Sequence, residues 1–89
     1  MNQISRELFR NNLLIQLNAG GEQGVAFSTL RLGAKVASFR FEDDELKDEL
    51  AYLRDKRLAA EVPKTLSPEN RRHRITAEGR DHLAAEGLA

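Results

Sequence analysis

The sequence contains no cysteine and no tryptophan, has only two prolines, and lacks any long apolar run. The absence of cysteine excludes disulfides, a thiolate nucleophile and a zinc site built on cysteine. Apolar runs are as short as Leu13-Leu14-Ile15, whereas a membrane-spanning helix needs about 20 apolar residues. The start of the chain has no signal-peptide pattern. We therefore expect a cytoplasmic protein that does not enter a membrane.

The length and composition predict one small folded unit. The chain has 89 residues, of which 40% are hydrophobic and 31% charged, as in an ordinary folded domain and unlike a disordered chain. A chain this short builds one modest core. We therefore predict a single domain over residues 1–89, which excludes a two-lobed enzyme.

The charges balance overall but are unevenly distributed along the chain. Lysine plus arginine and aspartate plus glutamate each number 14. Residues 42–55 contain seven acids and two bases, whereas residues 56–74 contain six bases and two acids. A net charge of zero argues against a protein that coats nucleic acid by bulk charge, but it permits a local basic patch.

The first predicted helix covers residues 3–18 and stops at Gly20-Gly21, a strong helix-ending signal. Its apolar residues form two sets on nearly opposite sides; these are Ile4, Leu8 and Ile15, and Phe9, Leu13 and Leu17. Two interpretations follow. Either the helix is enclosed within its own domain, or one face binds a partner chain, and we predict a possible homodimer through this helix.

Two further helices are predicted before residue 59. The second begins at a Ser28 cap and runs to Phe39. Its inward residues are either Leu30, Ala34 and Ala37 or Leu32, Val36 and Phe39. The third begins at an Asp43 cap, and helical spacing turns Leu46, Leu50 and Leu53 inward.

After Leu58 the helical spacing gives way to alternation, which is typical of strands. The pattern predicts a β-hairpin over residues 59–65 and 71–75, joined at the "SPEN" turn. Thr76 is then expected to cap a last helix that Gly87 ends.

Two stretches, "ELAYLRDKRLAAEV" and "HRITAEGRDHLA", together with this order of elements, resemble the winged helix-turn-helix domain of bacterial and phage DNA-binding regulators. The first is similar to the end of that family's third helix, and the second to the junction after its wing. The resemblance covers nearly the whole chain. It implies an α+β fold with three helices, a two-stranded β-hairpin wing and a C-terminal helix.

The resemblance also implies a function. The third helix of the family enters the major groove and the wing contacts phosphates. We therefore expect a small non-enzymatic protein that binds double-stranded DNA, as a transcription regulator or an accessory factor of an operon or mobile element. The candidate DNA-binding residues are Lys64, Arg71, Arg72 and Arg74 of the hairpin, Lys47 and Arg54 of the third helix, and Arg31 and Lys35 of the second.

The third helix departs from the family pattern because its outward side is acidic. Three carboxylates there would face DNA phosphates. The alternative hypothesis is a winged-helix module that binds a protein with a basic surface and does not bind DNA. Its candidate contact residues are Asp44, Asp48, Tyr52 and Asp55.

No pattern in the chain predicts catalysis, a metal or a cofactor. His73 and His82, the only histidines, lack neighbours at metal-ligand spacing. His73 is interpreted as part of the basic strand and His82 as a surface residue. The glycines of "NAGGEQG" have neither a preceding strand nor the lysine of a phosphate-binding loop.

Overall fold

The computed structural model describes residues 1–63 and 70–89, which form an α+β fold. Its helices are α1 (Gln3–Gly20), α2 (Phe27–Val36), α3 (Asp43–Asp55) and α4 (Ala77–Ala85), and its strands are β1 (Val25–Ala26), β2 (Ala59–Glu61) and β3 (Arg72–Ile75). A 3-10 turn, Gly21–Gln23, follows α1. Lys64 and residues 67–69 of the predicted "SPEN" turn lie outside the described residues, whereas Asn70 of that turn is described.

The sheet has three antiparallel strands in the order β1-β3-β2. Ala59 pairs with Ile75 and Glu61 with His73 across the β2–β3 ladder. The predicted two-stranded sheet was incomplete, because Val25 also pairs with His73 from the other edge. A strand of two residues is too short to show alternation in the sequence.

The helix starts show two corrections. α2 begins one residue before Ser28, which is not its cap; instead the Ser28 backbone N–H donates to Asn70 Oδ1 at 2.8 Å. The side-chain oxygen of Asn70, 42 residues away in the sequence, thus accepts from a first-turn backbone N–H as a capping side chain usually does. At α3 the cap is Glu42 rather than Asp43, and it forms a capping box with Glu45.

α4 begins where the sequence predicted. The Thr76 side chain accepts from the Gly79 backbone N–H at 3.0 Å. Gly79 also lies against the carbonyl oxygen of Leu58 and the side chain of Ile75, so a Cβ at this position would collide with both. This glycine allows the start of α4 to pack directly on the sheet.

The core is built mostly from leucine and phenylalanine. Phe9 stands at its centre, with its ring centroid 5.4 Å from that of Phe39 and 5.0 Å from that of Phe41. The fully buried large side chains are Phe9, Leu13, Leu14, Leu17, Leu30, Leu46, Leu50, Leu53 and Leu83. The predicted inward leucines of α3 are thus confirmed.

The packing decides which helix faces are buried. On α1 the set containing Phe9 is buried, and the set Ile4, Leu8 and Ile15 is exposed. On α2, Leu30 and Ala34 turn inward, whereas Ala37, Leu32 and Val36 are exposed and Phe39 is partly buried. The first inward set predicted for α2 is therefore right except at Ala37.

Candidate nucleic-acid interface

Three of the predicted DNA-binding residues, Lys47, Arg54 and Arg71, line one cleft between α3 and the sheet. The cleft has a volume of about 250 Å³. Its remaining lining consists of Phe27, Leu50, Glu61 and His73. The structure thus gathers bases from two separate parts of the chain around a partly apolar floor.

The local structure explains this convergence. Because α3 turns its leucines to the core, Lys47 and Arg54, two turns apart, lie on the flank of the helix that faces the sheet. Arg71 directly precedes β3, and strand alternation places it on the same side as His73. Lys47 Nζ lies 5.9 Å from the ring centroid of Phe27 at the start of α2.

Glu61 of β2 is the acid of this cleft. Its carboxylate lies 3.2 Å from Arg71 Nη1 and 3.8 Å from Arg54 Nη1. The three side chains are 37%, 54% and 35% exposed, respectively. These ion pairs remain hydrated, so each stabilises the fold by at most about 1 kcal/mol.

His73 lies beneath the cleft and is only 3% exposed. Arg54 Nη1 lies 3.1 Å from His73 Nε2, and because a guanidinium only donates, Nε2 must accept. Burial and then Arg54 lower the pKa of His73, against a smaller raising effect of Glu61. His73 is therefore neutral at pH 7, which corrects its interpretation as part of the basic strand.

The two arginines of β3 itself, Arg72 and Arg74, lie on the other side of the strand. Arg72 folds back onto the turn after α1, where Nε donates to the Gln23 carbonyl and Nη2 to the Gly24 carbonyl, both at 3.1 Å. Arg74 shares the side of β3 that carries Arg72 and is half-buried. The basic run of residues 71–74 is thus divided between the two sides of the strand.

The α2 bases are also engaged. Arg31 Nε lies 2.8 Å from an Asp43 carboxylate oxygen at the start of α3. Lys35 Nζ lies 5.1 Å from the ring centroid of Phe41. Asp43 therefore interrupts the basic surface between α2 and α3, and Glu61 lies among the bases of the cleft itself.

The outer face of α3 carries Asp44, Asp48 and Asp55, all exposed. Among the described residues, none of the three forms an ion pair. Tyr52 does not share this face; it turns toward α1, where the Arg10 guanidinium lies 3.8 Å from its ring centroid. The predicted protein-contact set therefore divides into an acidic stripe and a separate aromatic contact.

Glu49 is a buried acid that was not predicted from the sequence as a functional or core residue. Its carboxylate lies 2.5 Å from Arg10 Nε and 3.4 Å from Arg6 Nε. The sequence did contain a signal for this burial, because Glu49 lies at helical spacing from Leu46 and Leu53 and therefore on the inward side of α3.

Within residues 1–63 and 70–89, no group of three or more histidine, aspartate or glutamate side chains could hold a metal ion. No helix in this part of the chain is long and apolar enough to cross a bilayer. Comparisons of the chain with protein-family models, curated proteins and solved structures found no match.

Proposed function

We propose that the chain is a small winged-helix protein that binds double-stranded DNA and contacts its phosphate backbone through the cleft. The convergence of Lys47, Arg54 and Arg71 on one opening carries this proposal. A phosphate needs closely spaced cations, and bases from a helix and an adjacent strand can approach it from two sides. A role as a transcription regulator or an accessory factor of an operon or mobile element is part of the proposal.

Glu61 has a defined part in this mechanism. In the free protein its carboxylate holds the Arg54 and Arg71 guanidiniums at the opening. An entering phosphate would replace the carboxylate as their partner. The exchange is feasible because both ion pairs are partly exposed and therefore weak, whereas phosphate binding is driven by the release of counterions from DNA.

The test is a titration of fluorescently labelled duplex DNA at several salt concentrations, read by anisotropy. The double variant Lys47→Ala/Arg71→Ala should bind about tenfold or more weakly, and its log K against log salt slope should fall by roughly two. The control is Arg80→Ala, which removes an exposed base of α4 outside the cleft. It should change binding little.

The variant Glu61→Gln should change the affinity for duplex DNA in the opposite direction. It removes the carboxylate that competes with phosphate, so the affinity for duplex should rise by a few fold, on the order of 1 kcal/mol or less. A double variant that binds like the parent protein, or weaker binding by Glu61→Gln at unchanged stability, would contradict the proposal.

The exposed stripe of Asp44, Asp48 and Asp55 favours a second candidate function. Three carboxylates without ion-pair partners among the described residues form a surface that complements a basic protein. Under this alternative the chain is a winged-helix interaction module that does not bind DNA. Failure of duplex binding even at low salt would support it.

A further inference from the structure

The floor of the cleft contains apolar surface that a phosphate contact does not use. Phe27, the first residue of α2, and Leu50 of α3 lie there among the bases Lys47, Arg54 and Arg71. The Phe27 backbone N–H donates to the Arg71 carbonyl at 3.0 Å, so these two residues are neighbours. The Phe27 side chain packs against the core but is only partly buried. The cleft therefore presents an aromatic surface among cations.

We propose that the cleft binds one unpaired nucleotide of a DNA strand, with its phosphate between Arg54 and Arg71 and its base stacked on the Phe27 ring. This inference rests on the proposed binding of DNA in the cleft and specifies which part of the DNA enters it. Proteins that bind single strands combine a basic groove with aromatic side chains on which the bases stack. The cleft has both features within one opening.

The shape of duplex DNA explains why the nucleotide is unpaired. A duplex presents phosphates and sugars along its outside, whereas its bases are paired and stacked within it. Its backbone can reach the cations of the cleft, but no base face can reach Phe27. An unpaired nucleotide presents both a phosphate and the face of a base, so it is able to contact the cations and the aromatic floor together.

The volume of the cleft limits the occupant to a single nucleotide. At about 250 Å³, the cleft is smaller than the roughly 300 Å³ or more of a pocket that encloses a drug-sized ligand. The neighbouring nucleotides of the strand must therefore lie outside it.

In the free protein the Lys47 ammonium group lies over the Phe27 ring. Its Nζ is 5.9 Å from the ring centroid, close to the roughly 6 Å outer limit of a cation–π contact, and the Lys47 side chain is exposed. Such a contact is weak, so a base can replace the ammonium group over the ring. Because Lys47 also lines the cleft, the displaced ammonium group is available to the phosphate.

The first experiment compares Phe27→Leu with the parent protein by fluorescence anisotropy, using a labelled single strand of about ten nucleotides. Leucine keeps an apolar contact with the core but removes the aromatic face, so the affinity should fall at least about fivefold. The affinity for labelled duplex should hardly change. Phe39→Leu is the matched control, because Phe39 is also a partly buried phenylalanine packed against the core but does not line the cleft.

A strand of the same length that lacks bases separates stacking from phosphate binding. It keeps its phosphates, so Lys47→Ala/Arg71→Ala should still bind it more weakly than the parent protein does, whereas Phe27→Leu should bind it equally well. The inference is overturned if Phe27→Leu and Phe39→Leu bind the intact single strand equally. It is also overturned if Phe27→Leu loses as much affinity for the strand without bases as for the intact strand.

The second experiment observes the stacking directly. Because the chain has no tryptophan, Phe27→Trp introduces a single indole fluorophore. A base stacked on the indole should quench its emission when the single strand is added, and the strand without bases should not. Unchanged emission at a strand concentration that saturates the anisotropy signal contradicts the inference.

These outcomes differ from failure of the proposed duplex binding. If duplex binding depends on Lys47 and Arg71 but single-strand binding does not depend on Phe27, only the present inference fails. If Phe27→Leu weakens single-strand binding but no duplex is bound, the inference stands and the proposed duplex binding fails. If neither form of DNA binds, both fail.

Discussion

α3 forms ion pairs on both of its flanks, but it contributes an acid on one flank and a base on the other. Toward α1, the helix supplies the acid Glu49, which pairs with Arg6 and Arg10. Toward the sheet, it supplies the base Arg54, which pairs with Glu61. Glu49 and Arg10 side chains are only 12% and 18% exposed, whereas both partners on the sheet side are more than a third exposed. We call the network of Glu49, Arg6 and Arg10 the closed network and the network of Arg54, Glu61 and Arg71 the open network, because the central ion pair is shielded from water in the first and partly exposed in the second.

This difference in exposure indicates which charged side chains are able to bind a ligand. Glu49 and Arg10 lost most of their hydration on folding and depend on each other, so a ligand that separated them would leave a buried charge unpaired. Arg54 and Glu61 keep much of their water and can exchange partners at low cost. The closed network therefore serves the fold, and the open network is the candidate site.

The largest expected effect breaks the closed network. Glu49→Ala leaves Arg10 half-buried without its carboxylate and should lower the free energy of unfolding by about 2–3 kcal/mol. The matched change on the open side, Glu61→Ala, should cost under about 1 kcal/mol. Urea denaturation of both variants measures the difference. Equal losses would show that the two networks do not differ in the way their burial indicates.

Much of the helical fold was predictable because local rules decide it. The leucine spacing of α3, the Thr76 cap of α4 and the glycines after α1 each act within a few residues. Asn70, by contrast, caps α2 from 42 residues away, and β1 is only two residues long. Neither feature leaves a periodic pattern in the sequence.

The candidate site was predictable in its residue types but not in its pairing. The sequence indicated Lys47, Arg54 and Arg71 as bases. It did not indicate that Glu61 would stand between two of them, because β2 and α3 meet only in the folded chain. Strand alternation indicated that Arg71, Arg72 and Arg74 would not all face one way, but it did not indicate that Arg72 would donate to two backbone carbonyls of the turn after α1.

The second-largest expected effect is a dependence of the free energy of unfolding on pH, which arises from buried His73 next to Glu61 and Arg54. Because the pKa of His73 is lowered in the folded state by burial and by Arg54, the unfolded chain binds a proton more readily. Stability is therefore fully present above the unfolded pKa of about 6.5 and is lost as the pH falls through the folded value, with a slope of at most about 1.4 kcal/mol per pH unit.

The measurement is the urea midpoint between pH 7.5 and pH 5. His73→Gln should flatten this dependence, whereas His82→Gln, which removes the chain's other histidine, should leave it in place. Because Glu61 and Arg71 also face His73, the comparison should be repeated in the Glu61→Gln background. A slope that persists in the His73 variant would assign the pH effect to other groups.

The smallest expected effect lies on the outer face of α3, between the two networks, where Asp48 and Asp55 are exposed. If duplex DNA occupies the neighbouring cleft, these carboxylates repel its phosphates at a distance that salt partly screens. Asp48→Asn/Asp55→Asn should then tighten duplex binding by a few fold, under about 1 kcal/mol, with unchanged stability. If the acidic stripe instead binds a basic protein, the same substitutions remove complementary charge and weaken that association.

Fluorescence anisotropy with labelled duplex and with a lysine-rich peptide, at one fixed salt concentration, measures both changes in affinity. Tighter duplex binding together with unchanged peptide binding assigns this face to DNA, and the reverse result assigns it to a protein partner.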